Sequence, residues 1–589
     1  MHGSLSEAGA PGRPLEIALV AVTALALAAL VSAVLLLPSG VAFSAGDEQE
    51  FAGVRFQDAA GAVMTVKGPN CVLDGVDVCT TDNPFFDEGF GTNGQDCASC
   101  HQANLGWSIT PDFLREQFRT SKGLAPQFRL NDSASRPDAD ISTLPARKDA
   151  FELFMRQGIV RIAIKLSNAN DFAVVPQNTD QFGPLPNPHD IQNHCTAADP
   201  QPCLGTLSLF RRPLVQSNSF FDSAVLWDGR QNVCVEPTPP PGDCTNAPLR
   251  APLLVAQVKG AARTLLLNPN PTDEQARQVA HFMTGTFVAQ VADKRAGELT
   301  ALGAVGGPQF LADLAKGPVG SRKPPCTPLV EASKAAGGAG NATNCTAQAG
   351  FNIFSSWSSL RGTNTDPCLE RGDQDGRIEA ARLLIACGEN IFNNHPVNEP
   401  DLELPGGVIE LGRDAQNLPK ARCTTCHASS NVGSNPDPNF IIPLTPGGGL
   451  SQEPSLFVGG ETDASGDPFC VSHPSDRFCA VQQFNLPHFR NRTSKLPLYT
   501  LIELTAPGGT PTGNSIKVTD PGQALISHSF ENTGAMKPPI LRDLAARAPY
   551  FHNGAAETLD DLVDFYNQNF SMGLTAHEHK ALVAFLNAL

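Results

Sequence analysis

Two copies of one short motif constrain this chain more than anything else in it: Cys97-Ala98-Ser99-Cys100-His101 and Cys423-Thr424-Thr425-Cys426-His427. Thiols one helical turn apart can both reach the vinyl groups along one edge of a haem. The histidine that follows then lies beneath the iron and supplies a proximal nitrogen. A thioredoxin-type redox pair would need a βαβ setting and no histidine, which does not fit. The motifs therefore predict a c-type cytochrome with two covalently bound haem c groups, attached through Cys97, Cys100, Cys423 and Cys426, with iron on His101 and His427.

The motif belongs to a longer repeat. The step from Cys97 to Cys423 and the step from Gly229 to Gly554 differ by a single residue, so each half keeps its spacing from haem motif to a glycine turn: Trp227-Asp228-Gly229 and His552-Asn553-Gly554. Each half then closes on a segment with a threonine start and apolar residues at helical spacing, Thr272 through Phe282 and Thr575 through Phe585. Other predicted helices are Pro111–Thr120, Asp149–Gln157, Glu379–Phe392 and Thr558–Asn567. Strand alternation is confined to short pieces such as Ile159–Ile164. The expected division is 1–46 as a signal peptide or N-terminal membrane anchor, 47–290 and 376–589 as haem domains, and 291–375 as linker or insertion.

Ile17 to Leu37 is an apolar run broken only by Thr23 and Ser32, and Ala42-Phe43-Ser44 offers small residues for cleavage. A cleaved signal and a retained anchor both place the remainder on the non-cytoplasmic side, periplasmic or otherwise exported. Cysteine use fits export. Of sixteen cysteines, those outside the motifs fall largely into close neighbours: Cys71/Cys79, Cys195/Cys203, Cys234/Cys244 and Cys470/Cys479, with Cys326, Cys345, Cys368 and Cys387 besides. An even set in an exported chain reads as disulfides, and without a further Cys-x-x-Cys pair zinc is disfavoured. The net charge of −17 argues against a nucleic-acid partner and suits a basic protein partner or simple solubility.

Several stretches resemble the bacterial di-haem cytochrome c peroxidase and MauG-like superfamily: Leu226-Trp227-Asp228-Gly229-Arg230, Thr519-Asp520-Pro521-Gly522-Gln523-Ala524, Lys537-Pro538-Pro539-Ile540-Leu541-Arg542, and Ala548-Pro549-Tyr550-Phe551-His552-Asn553-Gly554 with Thr558-Leu559. The likeness covers the second half well and the first in patches; 290–375 and the cysteine-bounded loops have no counterpart. The resemblance implies a mainly α protein of two cytochrome c-like haem domains with long loop insertions. It implies an N-terminal haem that reacts with hydrogen peroxide and a C-terminal haem that relays electrons to or from a redox partner protein or small donor. Calcium between the domains is a further implication. Asp373-Gln374-Asp375-Gly376 resembles part of a calcium loop, but the flanking Arg371 and Arg382 are wrong for an EF-hand, and a turn before the next helix explains it as well.

The resemblance also implies roles for particular side chains. Tyr566 stands where the family places the sixth ligand of the second iron, with Met572 and Met536 as competitors; equally, Leu559, Leu562, Val563 and Tyr566 make one apolar helix face. Trp227 stands where the family places an electron-passing tryptophan between the haems, and a packed core ring is the alternative. No histidine occurs from Gln102 to Pro188, and Met155 is the one thioether there, which predicts an open first haem; His189, His194 and His281 lie further along. The family's acid–base glutamate is replaced in a stretch without a carboxylate, Ala261 to Leu267. The leading expectation is a peroxide-dependent oxidoreductase. Its rivals are a non-catalytic electron-transfer cytochrome, a haem dioxygenase of the rubber-cleaving type, and a MauG-like enzyme acting on a protein.

Overall fold

A computed structural model of the chain describes residues 51–175, 206–222, 224–232, 250–316, 350–360, 367–368, 377–397, 401–404, 407–410, 422–427, 496–497, 499–530, 533–534, 536–570 and 572–589, all within one unit running from Phe43 to Leu589. The apolar run Ile17–Leu37, the cleavage region, Asp373–Gly376, His189, His194 and most of the expected cysteine pairs lie outside these residues. Among the described residues no helix is long and apolar enough to cross a membrane.

The helices start where the sequence supplies caps. The first amides of a helix lack intrahelical partners, and a threonine hydroxyl can accept from one of them. Thr110 does so for Pro111–Ser121, Thr143 for Leu144–Ala150 and Thr558 for Leu559–Asn569. The two closing helices, Asp273–Gly285 and Ala576–Ala588, each begin with a reciprocal capping box, Thr272 with Gln275 and Thr575 with Glu578. The predicted Glu379–Phe392 helix runs from Arg377 to Asn394, while Asp149–Gln157 is interrupted at Phe151 between Leu144–Ala150 and Glu152–Gln157.

A mainly α fold is not what forms. The architecture is mixed, with several small antiparallel sheets. One has four strands in the order Arg55–Gln57, Gly61–Lys67, Thr286–Asp293, Gly297–Glu298. Another pairs Val160–Lys165, close to the alternating piece predicted from sequence, with Thr206–Arg211. A third runs Pro511–Val518, Tyr499–Leu504, Phe172–Val175 and so joins the first half of the chain to the second. The missed strands have a physical explanation. Thr286 to Val291 is buried on both faces, Val288 in the first haem-motif core and Phe287 and Ala289 in another cluster, so the polar alternation that betrays a strand is absent.

Two equivalent cores carry the repeat. In the first, Phe85 packs 4.6 Å from Phe282 of the closing helix and 6.3 Å from the His101 ring. In the second, Phe392 packs 5.5 Å from Phe585 and 6.2 Å from the His427 ring. The glycine turns match as well. Leu226 and Gly229 have φ of 66° and 66°, Phe551 and Gly554 have 65° and 69°. The side chains of Asp228 and Asn553 each accept the amide two residues on, from Arg230 and Ala555. At Gly554 a Cβ would lie 2.9 Å from the Gln157 carbonyl, so both the φ and the close approach require glycine. Disulfides join Cys71 to Cys79, the expected neighbours, and Cys368 to Cys387 across 19 residues. Among the described residues the cysteines outside disulfides are Cys97, Cys100 and Cys423, all from the haem motifs.

Candidate active site

Each haem motif opens into its own cavity. The first is lined by Cys97, Cys100, His101, Phe85, Val258, Ala261, Leu265, Met283 and Trp227 among others. The backbone of the motif is a helical turn, with the His101 amide donating to the Cys97 carbonyl at 2.9 Å. The His101 Nδ1 lies 2.9 Å from the Trp107 carbonyl. A carbonyl only accepts, so the ring proton sits on Nδ1 and Nε2 keeps its lone pair. Burial lowers the His101 pKa to about 4, which keeps the imidazole neutral, as iron ligation demands. A mostly apolar cavity holding two unpaired thiols and one oriented neutral imidazole fits covalently bound haem.

The helix Arg250–Thr264 gives this cavity Gln257, Val258, Gly260 and Ala261 and no carboxylate, while Met155 lies buried elsewhere and His281 contacts the Asn70 carbonyl instead. Carboxyl groups reach the cavity from other segments: Asp96, Asp132 and Asp222. Asp222 is held by the Lys537 ammonium at 2.7 Å. Burial pushes the Asp132 carboxyl up to about 6, against the opposing pull of its Ser133 hydrogen bond and the Arg161 charge. Nothing in the local sequence marks Asp132, because its character comes from burial beside a motif separated from it by the helix Pro111–Ser121.

The second cavity is lined by Cys423, His427, Phe392, Tyr566, Phe570, Met572 and again Trp227. Burial pushes the Cys423 thiol up to about 12. Cys426 ends the short helix Cys423–Cys426, and its side chain lies outside the described residues. Tyr566 and Met572 both line this cavity; Met536 is buried but does not. Tyr566 stacks on Phe570 at 5.7 Å and lies 6.3 Å from Phe551, so it belongs to an aromatic face as well as to the cavity wall.

Trp227, Arg212 and Pro213 line both cavities. The Trp227 indole is buried, donates through Nε1 to the Arg212 carbonyl at 2.8 Å and packs edge-on to His552 at 6.3 Å. Two residues in equivalent turns of the repeat therefore meet at the junction. Beside them lies a buried charge cluster. Arg211 makes a forked pair with Asp520 at 2.7 and 2.9 Å and also binds Asp228, which Arg230 holds from the other side. Burial opposes the charge on Asp228, but the Arg230 and Arg211 guanidiniums outweigh it and hold the carboxyl well below its usual range. Burial, and then the Arg211 charge, push the His552 pKa far down, so its ring is neutral.

Over 97 residues the chain is 42% identical to the cytochrome-c peroxidase IdrP2 of Denitromonas iodatirespirans, which is 15% of this chain and 26% of that protein. It is 38% identical over 97 residues to the protein of the same name from Pseudomonas sp. (strain SCT), and 34% identical over 93 residues to cytochrome-c peroxidase IdrP1 of Denitromonas iodatirespirans, covering 15% and 14% of this chain and 26% and 25% of those proteins. The chain thus matches about a quarter of the length of these curated relatives, and over that stretch it is similar to cytochrome c peroxidases. No protein-family model matches the chain, and no solved structure matches it.

Proposed function

We propose that this chain is an exported di-haem c-type cytochrome that reduces hydrogen peroxide at the first cavity and passes the electrons through the second. The observation that carries this reading is the single indole, Trp227, that lines both of two equivalent cavities, each with a haem-motif histidine in its wall. Partial identity to cytochrome c peroxidases supports the same chemistry. Haem c, when bound, supplies a redox-active iron at each site.

The chain's own residues set the division of labour. His101, its Nδ1 fixed by the Trp107 carbonyl, would hold one haem iron through Nε2, and His427 would hold the other. Helix Arg250–Thr264 lines the first cavity with Val258, Ala261 and Ala262 and brings no carboxylate to it. Reduction of peroxide to water needs protons as well as electrons. Asp132, which holds its proton up to about pH 6, is the carboxyl group best tuned for that transfer. Electrons enter from a donor protein or small reductant near the second cavity and cross by way of Trp227. The test is direct: the reduced protein should bind carbon monoxide at one haem and be oxidised by hydrogen peroxide with donor turnover. Two closed haems and no turnover would leave a plain electron-transfer cytochrome.

A MauG-like variant of this reading rests on Tyr566, which shares the second cavity with His427. A tyrosinate ligand is hard and anionic, favours ferric iron and lowers the potential; methionine at Met572 does the reverse. Tyr566→Phe keeps the ring stacked on Phe570 and removes the oxygen. We expect it to change the ferric spectrum of the second haem and leave carbon monoxide binding at the first intact. An unchanged ferric spectrum assigns the ligand to Met572 and favours the ordinary peroxidase.

A further inference from the structure

We infer that Arg212 is a built-in cation doing the work of a structural metal ion at the junction of the two cavities, and that it is the residue that positions Trp227. The residue is 5% exposed, and its guanidinium donates to three backbone carbonyls from three separate segments: Nη1 to Gln157 at 2.8 Å, Nη2 to Ile109 at 2.7 Å and to Arg547 at 3.0 Å. Converging buried carbonyls concentrate partial negative charge and each needs a donor. Such oxygen sets commonly hold a hard metal cation. Here a planar fork of fixed donors meets the same demand with permanent charge.

The neighbouring backbone is shaped for it. Gly158, at φ +63°, passes so close that a Cβ there would lie 2.4 Å from Nη1. Gln157, whose carbonyl receives Nη1, donates through Nε2 to the Asn553 carbonyl at 2.8 Å. The main chain of Arg212 completes the clamp. Its amide donates to the His552 carbonyl at 2.5 Å, and its carbonyl accepts the Trp227 indole. One residue therefore ties the turn of the first half, the turn of the second half and the segment before Gly158 into a fixed arrangement. Arg211, its neighbour, spends its charge on Asp228 and Asp520 and cannot substitute.

Backbone protection in the holoprotein tests this, followed by hydrogen-exchange mass spectrometry over 224–232 and 547–556. Arg212→Ala should exchange about 10-fold faster there, the factor expected when a buried hydrogen-bond set is lost. Guanidinium at millimolar concentration, far below denaturing levels, should restore protection, and urea, its neutral isostere, should not. Arg212→Lys keeps the charge without the fork and should fall between the two, which serves if the alanine variant does not fold. Treating wild type with EDTA should change nothing at this junction. Wild-type exchange in the alanine or lysine variant, equal rescue by urea, or loosening of wild type by EDTA would each overturn the assignment. These arms read backbone protection alone, so they stand or fall independently of peroxide turnover.

Discussion

Arg211→Met is expected to lower the stability of the protein by about 3–5 kcal/mol, because removing one partner of a buried ion pair leaves the other charge without compensation. Arg211 bridges Asp228 of the first half and Asp520 of the second, and all three side chains are almost wholly buried. Asp228 keeps Arg230 as a partner, so the penalty falls chiefly on Asp520. Replacing Asp520 by leucine in the same chain should recover much of the loss, since an apolar pair of similar volume tolerates burial that a lone carboxylate does not. Denaturant unfolding monitored at the midpoint checks both variants. The pH dependence follows by linkage. Asp228 has a folded pKa held below its unfolded value of about 3.9, so its contribution is present above that pH and lost as the pH falls further. The acid limb of the stability curve should therefore be shallower in Arg211→Met. A variant as stable as wild type would mean that the pairing does not hold the halves together.

Trp227→Phe is expected to cut peroxide turnover about 10-fold or more, a loss of at least about 1.4 kcal/mol in the rate-limiting step, while haem content stays unchanged. Phenylalanine fills most of the indole's volume but is redox-inert and lacks the Nε1 donor to Arg212. The lost hydrogen bond alone should cost about 1 kcal/mol of stability. The two readouts separate the roles: a fall in turnover with near-normal unfolding marks Trp227 as a conduit. Full turnover with lowered stability marks a packing residue, and the electron path must then run elsewhere.

What could be read before the structure depended on how local the signal was. The haem motifs declare themselves within five residues, and the threonine caps within four. The repeat was legible at the glycine turns because Gly229 and Gly554 both occupy the left-handed region, which glycine adopts most readily. The fold class was not, since strands such as Thr286–Asp293 are buried on both faces and show no alternation, and the expectation of a mainly α protein gave way to mixed α and β. Pairings across the chain were equally out of reach. Asp520 sits in a recognised stretch, yet its partner Arg211 is 309 residues away. The raised proton affinity of Asp132 and the carbonyl cradle around Arg212 arise from burial and convergence, which no residue pattern encodes.

Whether the chain carries two haems is the claim on which the rest depends, and a pyridine haemochrome assay on the purified protein measures it most directly. We expect two covalent haems per chain in the wild type, and one each in Cys100→Ala and Cys426→Ala. A single haem in the wild type, or loss of both from either variant, would contradict the two-site architecture.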